Sequence, residues 1–167
     1  SYDAFSYGNF TFNVGTEGKQ FVIEDNDKSK YFAGCTRRLK TGSDSNTVTI
    51  NVEAAGTITI YMMSSSSSAD RTATLTDANG AAVETFTVKG DALYEFNFEV
   101  AAGSYTISAD GGLNYYAMYI DLLSLREVAA HQSRARECRH AWLVCLDLAP
   151  THICMSEYVV KIYPFES

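Results

Sequence analysis

The stretch TVTINVEAAGTITIYMMS, residues 47–64, decides the class of fold. Apolar residues alternate with Thr, Asn and Tyr on both sides of a short Glu-Ala-Ala-Gly connection, and this period of two is typical of β-strands with one buried face. The apolar residues of each strand fall on one side, which we expect to face the core: Val48, Ile50, Val52, Ile58 and Ile60. The opposite side of the second strand carries Thr57, Thr59 and Tyr61, which we expect to face outward.

The same alternation recurs over residues 1–126, with Gly, Asp and Asn at the turns. It predicts ten strands, at residues 9–14, 19–25, 37–42, 47–53, 56–64, 72–77, 83–89, 93–100, 103–110 and 114–123. Two of the later strands add further core residues: Phe96, Phe98, Tyr105 and Ile107. Gly80 closes an Asp-Ala-Asn-Gly turn, where a hairpin needs a residue that tolerates positive φ. The pattern predicts an all-β domain, an antiparallel two-sheet β-sandwich of jelly-roll type.

Length and charge limit the kinds of partner. The chain has 167 residues, of which 46% are apolar, and this suits one globular domain with a core. The net charge of -7 argues against nucleic-acid or anionic-membrane partners, because both need a basic surface. No run approaches the roughly 18 apolar residues of a membrane span, and SYDAFSYG does not resemble a signal peptide. We expect a mature, soluble monomer or a module of a longer protein.

The composition changes at Glu127. The tail, residues 127–167, holds all three His, both Pro, the only Trp and three of the four Cys. Residues 127–148 could form a helix, which Pro150 would end. Two interpretations of the tail stay open: a native helix and strand packed on the sandwich, or sequence foreign to the protein, such as vector sequence read in an unintended frame.

The tail also concentrates residue types that bind metals: Cys138, His140, Cys145, His152 and Cys154. A structural zinc site needs four such ligands, but their spacing matches none of the usual zinc knuckles, so the pattern favours no metal site. The crowding of three cysteines is also unlike a disulfide framework. The redox state of these cysteines, and of Cys35, does not follow from the sequence.

Catalytic residue types are scarce in residues 1–126. This part has no histidine and one cysteine, whereas hydrolytic and transfer mechanisms need a nucleophile beside a base. We therefore expect no enzyme activity, with a lyase that uses Arg or Lys as its base as the weaker alternative. Glu24, Asp25 and Asp27 cluster in EDNDKSK, which is typical of a solvated turn. Their oxygens could also bind a structural Ca²⁺, the one cofactor that the sequence suggests.

Positive charge is concentrated at Arg37, Arg38 and Lys40, immediately before the stretch that decides the fold. With Leu39 directed to the core, alternation sends Arg38 and Lys40 together to the outer side and leaves Arg37 on the side of Leu39. An arginine fork matches a carboxylate, and a lysine supplies a point charge. Scattered solubilising charge on exposed strands is the alternative interpretation.

Arg71 and Lys89 lie at the ends of neighbouring predicted strands, and Tyr61, Tyr115 and Tyr119 are expected to face outward. Together with Arg37, Arg38 and Lys40, which we call the Arg38 cluster, Arg71 and Lys89 could line a groove for a polyanion. The tyrosine rings could add stacking faces for sugar rings.

Residues 31–123 carry four marks of a known kind of module: Arg-Leu-Lys at 38–40, a serine-rich loop ending in Arg71, the Asp-Ala-Asn-Gly turn, and Gly-x-Tyr-x-Ile at 103–107 before an aromatic last strand. In these marks the chain resembles the non-catalytic β-sandwich modules attached to bacterial pectate lyases and related polysaccharide-degrading enzymes. The resemblance implies a secreted, extracellular carbohydrate-binding module tethered to a catalytic domain. It implies pectic homogalacturonan as the ligand, with Arg38, Lys40, Arg71 and Lys89 meeting the uronate carboxylates.

Two alternatives to pectin remain. A neutral-glycan binder would use Tyr61, Tyr115 and Tyr119 as a stacking platform and prefer cellulose, xylan or mannan. A structural spacer would position a catalytic domain and bind no sugar.

Overall fold

The computed structural model describes residues 1–16, 19–31 and 34–123. These residues form eleven strands: β1 (Phe5–Tyr7), β2 (Phe10–Asn13), β3 (Val22–Asp25), β4 (Arg37–Lys40), β5 (Thr47–Val52), β6 (Gly56–Ser64), β7 (Arg71–Asp77), β8 (Ala82–Val88), β9 (Tyr94–Val100), β10 (Gly103–Ala109) and β11 (Leu113–Leu122). The helix predicted at 127–148 and the rest of the tail lie outside the described residues.

The strands pair antiparallel in two sheets. One sheet has six strands in the order β1-β2-β5-β10-β7-β8, and the other has five in the order β3-β4-β11-β6-β9. Successive strands repeatedly change sheet, so that β10 pairs with β5 and β7 while β11 pairs with β4 and β6. The predicted all-β, antiparallel two-sheet fold is confirmed. Within the described ranges, no helix is long and apolar enough to cross a membrane.

Side chains from both sheets meet in one hydrophobic core. The alternation read from the sequence is confirmed in β5 and β6, where Val48, Ile50, Ile58 and Ile60 have no exposed surface. Burying one such side chain contributes about 1.5 to 3 kcal/mol. Phe96 also packs against the core, as predicted, but it is only partly buried because β9 is the edge strand of its sheet.

The hairpin between β7 and β8 has the turn that its sequence predicts. Gly80 adopts a φ of 80°, a left-handed conformation that favours glycine. The Asp77 carboxylate accepts hydrogen bonds from the backbone N–H groups of Asn79 and Ala81, both at 2.9 Å. This side chain therefore adds to the backbone bonds of the turn, in which the Gly80 N–H donates to the Asp77 carbonyl at 3.0 Å, and helps to fix the start of β8.

The prediction that Tyr115 faces outward is wrong. Tyr115 is 2% exposed and packs in the main core, opposite Met62. The register of β11 against β6 shifts between Tyr115 and Ala117, and this bulge inserts one extra residue, Tyr116. The side chains before and after the extra residue alternate in opposite phase. A period of two that is continued through the bulge therefore assigns Tyr115 to the wrong side of the sheet.

Candidate functional site

The candidate site lies on the outer face of the five-stranded sheet, which we define as the side turned away from the main core. Ile58 and Ile60 face the main core, so Thr59 and Tyr61 lie on the opposite side of β6, where Thr59 is only 3% exposed and Tyr61 is partly exposed. Thr59 is paired with Tyr119 on β11 and with Asn97 on β9. Thr59, Tyr119 and Asn97 therefore form one row across β6 and its two neighbours, β11 and β9.

Two tyrosine rings form the aromatic part of this face. The ring centroids of Tyr61 and Tyr119 are 6.3 Å apart, and the ring planes are inclined by 31°. Tyr61 lies opposite Ala117 on β11, two residues before Tyr119. Both tyrosines are partly exposed, so their ring surfaces can contact a ligand. The outward orientation predicted for these two residues is confirmed.

A chain of hydrogen bonds crosses the face beside the rings. The Thr59 hydroxyl donates to Asn97 Oδ1 at 2.7 Å, and Asn97 Nδ2 donates to Glu95 Oε1 at 2.9 Å. The Tyr61 hydroxyl donates to the other carboxylate oxygen, Glu95 Oε2, at 2.6 Å. These bonds fix the orientation of each polar group before any ligand binds. We call Thr59, Tyr61, Glu95 and Asn97 the acceptor network.

The bonds of the acceptor network perturb its ionisable groups. The hydrogen bonds from Tyr61 and then from Asn97 hold the pKa of the Glu95 carboxyl below its usual value. The same bond, together with burial and a bond to Tyr119, raises the pKa of the Tyr61 hydroxyl. Glu95 is therefore a carboxylate, and Tyr61 a neutral phenol, over the whole neutral pH range.

One end of the outer face is covered by the connection between β3 and β4. Cys35 from this connection packs with Met63, Leu93 and Tyr116 in a second apolar cluster, against which Tyr61 lies. The Tyr116 hydroxyl donates to Asn26 Oδ1 at 2.9 Å, which ties the start of the connection to β11. The second apolar cluster therefore borders Tyr61 at one end of the outer face.

The basic residues of β4 have carboxylate partners on β3. Arg38 donates its Nε–H to Glu24 Oε1 at 2.7 Å, and a second guanidinium N–H bonds to the same oxygen. Arg37 donates to Asp25 Oδ1 at 2.8 Å. Lys40 projects to the same side as Arg38 and, within the described ranges, forms no ion pair.

Arg71 and Lys89 do not join this face. Arg71 begins β7 in the other sheet and lies opposite Val88, a core residue, so its side chain points toward the space between the sheets. Its guanidinium packs against Gly111, where an added Cβ would lie 2.4 Å from Arg71 Nε. Lys89 follows the edge strand β8 and is exposed. The structure therefore brings together Arg38, Lys40 and Tyr61 on one sheet and separates Arg71 and Lys89 from them. Their predicted ligand contacts stay predictions.

The acidic residues proposed for calcium are occupied by other contacts. Glu24 and Asp25 bond to arginines, as described above, and Asp27 Oδ1 accepts the backbone N–H of Ser29 at 2.8 Å. The bonds to Ser29 lower the pKa of Asp27. No group of three or more His, Cys, Asp or Glu able to hold a metal ion occurs among the described residues. The calcium site stays a prediction.

Comparisons with known proteins find likeness only to solved structures. No family model and no curated protein matches the chain. The CBM22-1 xylan-binding domain of Paenibacillus barcinonensis Xyn10C is 14% identical with a TM-score of 0.47, and the alignment covers 68% of this chain and 86% of that one. The family 22 module of Clostridium thermocellum Xyn10B is 9% identical with a TM-score of 0.48, covering 70% and 88%.

A third match is the CBM6cm-2 module of Cellvibrio mixtus lichenase 5A in complex with cellotriose. It is 17% identical with a TM-score of 0.42, covering 66% of this chain and 92% of that module. None of these three is described as a module of a pectate lyase, so that assignment stays a prediction. Likeness at this level does not identify a ligand, which must be argued from the site.

Proposed function

We propose that this chain is a non-catalytic module that binds a polysaccharide along the outer face of the five-stranded sheet. The observation that carries the proposal is the position of the Tyr61 and Tyr119 rings beside the acceptor network. Sugar rings present an apolar face and a rim of hydroxyls, so a site for them needs aromatic surface together with fixed hydrogen-bonding groups. This face has both on adjacent strands.

The hydrogen bonds within the site favour binding without large rearrangement. Tyr61, Glu95 and Asn97 are already held by one another, so less conformational entropy is lost when a ligand orders them. A neutral glycan chain is the ligand class that these groups suit best, because Arg38 on the same face is already paired with Glu24. The described residues contain no histidine, and their single cysteine, Cys35, is buried.

Pectin is the second candidate ligand, and one observation favours it. Lys40 projects to the same side as Arg38 and has no carboxylate partner among the described residues. A uronate carboxylate could bind there, and such contacts at an exposed surface are screened by salt over about 10 Å at 0.1 M. Attachment to a catalytic domain of a secreted bacterial enzyme belongs to the same proposal.

Affinity electrophoresis of the full chain tests the proposed function. The gels contain xylan, hydroxyethylcellulose, glucomannan, polygalacturonate or no polysaccharide. We expect retardation by at least one glycan, strongly reduced by Tyr119→Ala and unchanged by Tyr7→Ala, because Tyr7 is 48% exposed but lies on the other sheet. A spacer without sugar binding would migrate identically in all gels, and that result would overturn the proposal.

A further inference from the structure

We propose that Glu95 determines which glycans the outer face accepts, by taking hydrogen bonds from two neighbouring sugar hydroxyls and repelling sugars that carry a carboxylate. This inference rests on the proposed polysaccharide binding at the same face. It assigns to Glu95 a contact with ligand, in addition to its bond with Tyr61.

The balance of donors and acceptors at Glu95 is the first argument. A carboxylate accepts about four hydrogen bonds, two on each oxygen. Glu95 Oε1 receives one from Asn97 and Oε2 receives one from Tyr61, so each oxygen keeps a lone pair. Glu95 is exposed, so these lone pairs can meet a ligand. Two adjacent acceptors on one planar group match two adjacent hydroxyl donors of a sugar ring.

The groups around Glu95 are oriented in a way that keeps it an acceptor. The Tyr61 hydroxyl gives its proton to Glu95, and Thr59 gives its proton to Asn97, which directs the Asn97 amide toward the carboxylate. A uronate carboxylate, which offers only acceptors, therefore meets no hydroxyl donor in this network and can bond only to the second N–H of the Asn97 amide. A ligand that offers hydroxyl donors completes the existing pattern.

The charge of the neighbouring positions is the second argument. Thr57 on β6 is paired with Glu99 on β9 and with Asp121 on β11, and both acidic residues are exposed. This adds two carboxylates to the same face, one row from Asn97 and Tyr119. Like charges close together repel, so a polyuronate chain running along the tyrosines is disfavoured, most strongly at low salt.

The test compares Glu95→Gln with Glu99→Gln in the full chain. Both substitutions remove one negative charge from the same strand and the same face, but only Glu95 belongs to the acceptor network. Binding is measured by calorimetry with cello-, xylo- and manno-oligosaccharides and with oligogalacturonate. For the neutral oligosaccharide that the wild-type chain binds, we expect Glu95→Gln to lose about tenfold in affinity and Glu99→Gln less than about twofold. Binding of oligogalacturonate should rise in Glu95→Gln.

A second measurement separates ligand contact from a structural role of Glu95. Monodeoxy versions of the same oligosaccharide lack one hydroxyl each. The derivative that lacks the hydroxyl bound by Glu95 should bind the wild-type chain about tenfold more weakly than the parent oligosaccharide does. Glu95→Gln should bind this derivative about as well as it binds the parent oligosaccharide. If Glu95→Gln does not fold, Glu95→Asp replaces it in both measurements, because it keeps the negative charge but withdraws the carboxylate from the sugar hydroxyls.

Three results would overturn the inference. Equal affinities for Glu95→Gln and Glu99→Gln with every ligand would show that Glu95 does not select the ligand, even if Tyr119→Ala weakens binding and the proposed function stands. Weaker binding of oligogalacturonate by Glu95→Gln would contradict the repulsion. A wild-type chain that binds no glycan would overturn the proposed function and this inference together.

Discussion

The guanidinium of Arg38 and the carboxylate of Glu24 lie opposite each other on β4 and β3, with Arg38 Nε 2.7 Å from Glu24 Oε1. Both side chains are partly buried, so the contact orders this side of the sheet and neutralises a charge that a polyanion would otherwise meet. The pair thus decides how much positive potential the outer face presents.

Removing the negative partner should expose that potential. We expect Glu24→Gln to increase retardation in polygalacturonate gels and to leave retardation by neutral glycans unchanged. Asp25→Asn is the matched control, because it releases Arg37, which belongs to the opposite side of β4. Equal increases in both variants would indicate a general effect of net charge and would contradict a role for Arg38 on this face. The loss of the pair should cost no more than about 1 kcal/mol of stability.

The Tyr119 ring should contribute to binding through its surface more than through its hydroxyl. We expect Tyr119→Ala to weaken glycan binding by about tenfold and Tyr119→Phe by less than about threefold, because stacking needs only the ring. Calorimetry with a neutral oligosaccharide measures both. If Tyr119→Phe loses as much as Tyr119→Ala, the hydroxyl and not the ring carries the contact.

The core of the sandwich should be sensitive to a single truncation. Leu75 on β7 has no exposed surface, so Leu75→Ala should lower the free energy of unfolding by about 2 to 5 kcal/mol. Thr85 on the neighbouring strand β8 is exposed, and Thr85→Ala should change it by less than about 0.5 kcal/mol. Urea denaturation monitored by far-ultraviolet circular dichroism gives both values. Equal effects would contradict the assignment of the core.

Cys35 should make the folded state sensitive to high pH. Burial raises the pKa of this thiol to about 11, with the charge of Asp27 acting in the same direction and that of Lys28 opposing. Its pKa in the unfolded chain is near the ordinary value of 9.0, so the unfolded state loses its proton first as the pH rises. The stability contributed by the neutral thiol is therefore complete below pH 9 and is lost between about pH 9 and 11.

Alkylation measures this directly. At pH 8 we expect Cys35 in the folded chain to react with iodoacetamide much more slowly than in urea, as read by peptide mass mapping. Cys35→Ser should remove the part of the stability loss above pH 9 that this thiol causes. Rapid alkylation of Cys35 in the folded chain would contradict its burial in the second apolar cluster.

Most of the fold follows from local pattern. Alternation identified β2 to β11 and assigned Val48, Ile50, Ile58 and Ile60 to the core, because one face of each strand is buried by the opposing sheet. The strand β1 was missed, since three residues give no alternation to detect. Phe5 nevertheless stacks on Phe12 with centroids 4.6 Å apart, a contact that depends on the pairing of β1 with β2.

The site was predictable only in part. The outward direction of Tyr61 and Tyr119 follows from alternation, and so would that of Glu95 and Asn97, which flank the inward Phe96. Their hydrogen bonds do not follow, because they depend on the register of β9 against β6. The positive charge of the Arg38 cluster was overestimated for the same reason. The sequence shows three basic residues, whereas the pairing of β4 with β3 places Glu24 opposite Arg38 and Asp25 opposite Arg37.

The central claim is that a glycan binds on the outer face of the five-stranded sheet. The most direct measurement is a titration of the ¹⁵N-labelled chain with neutral oligosaccharides, followed by amide chemical shifts. We predict that the largest shifts cluster at Thr59, Tyr61, Asn97 and Tyr119 and that they saturate with one dissociation constant. The account would be contradicted if the shifts were confined to the six-stranded sheet or to the loops around Arg71. It would also be contradicted if no oligosaccharide caused any shift.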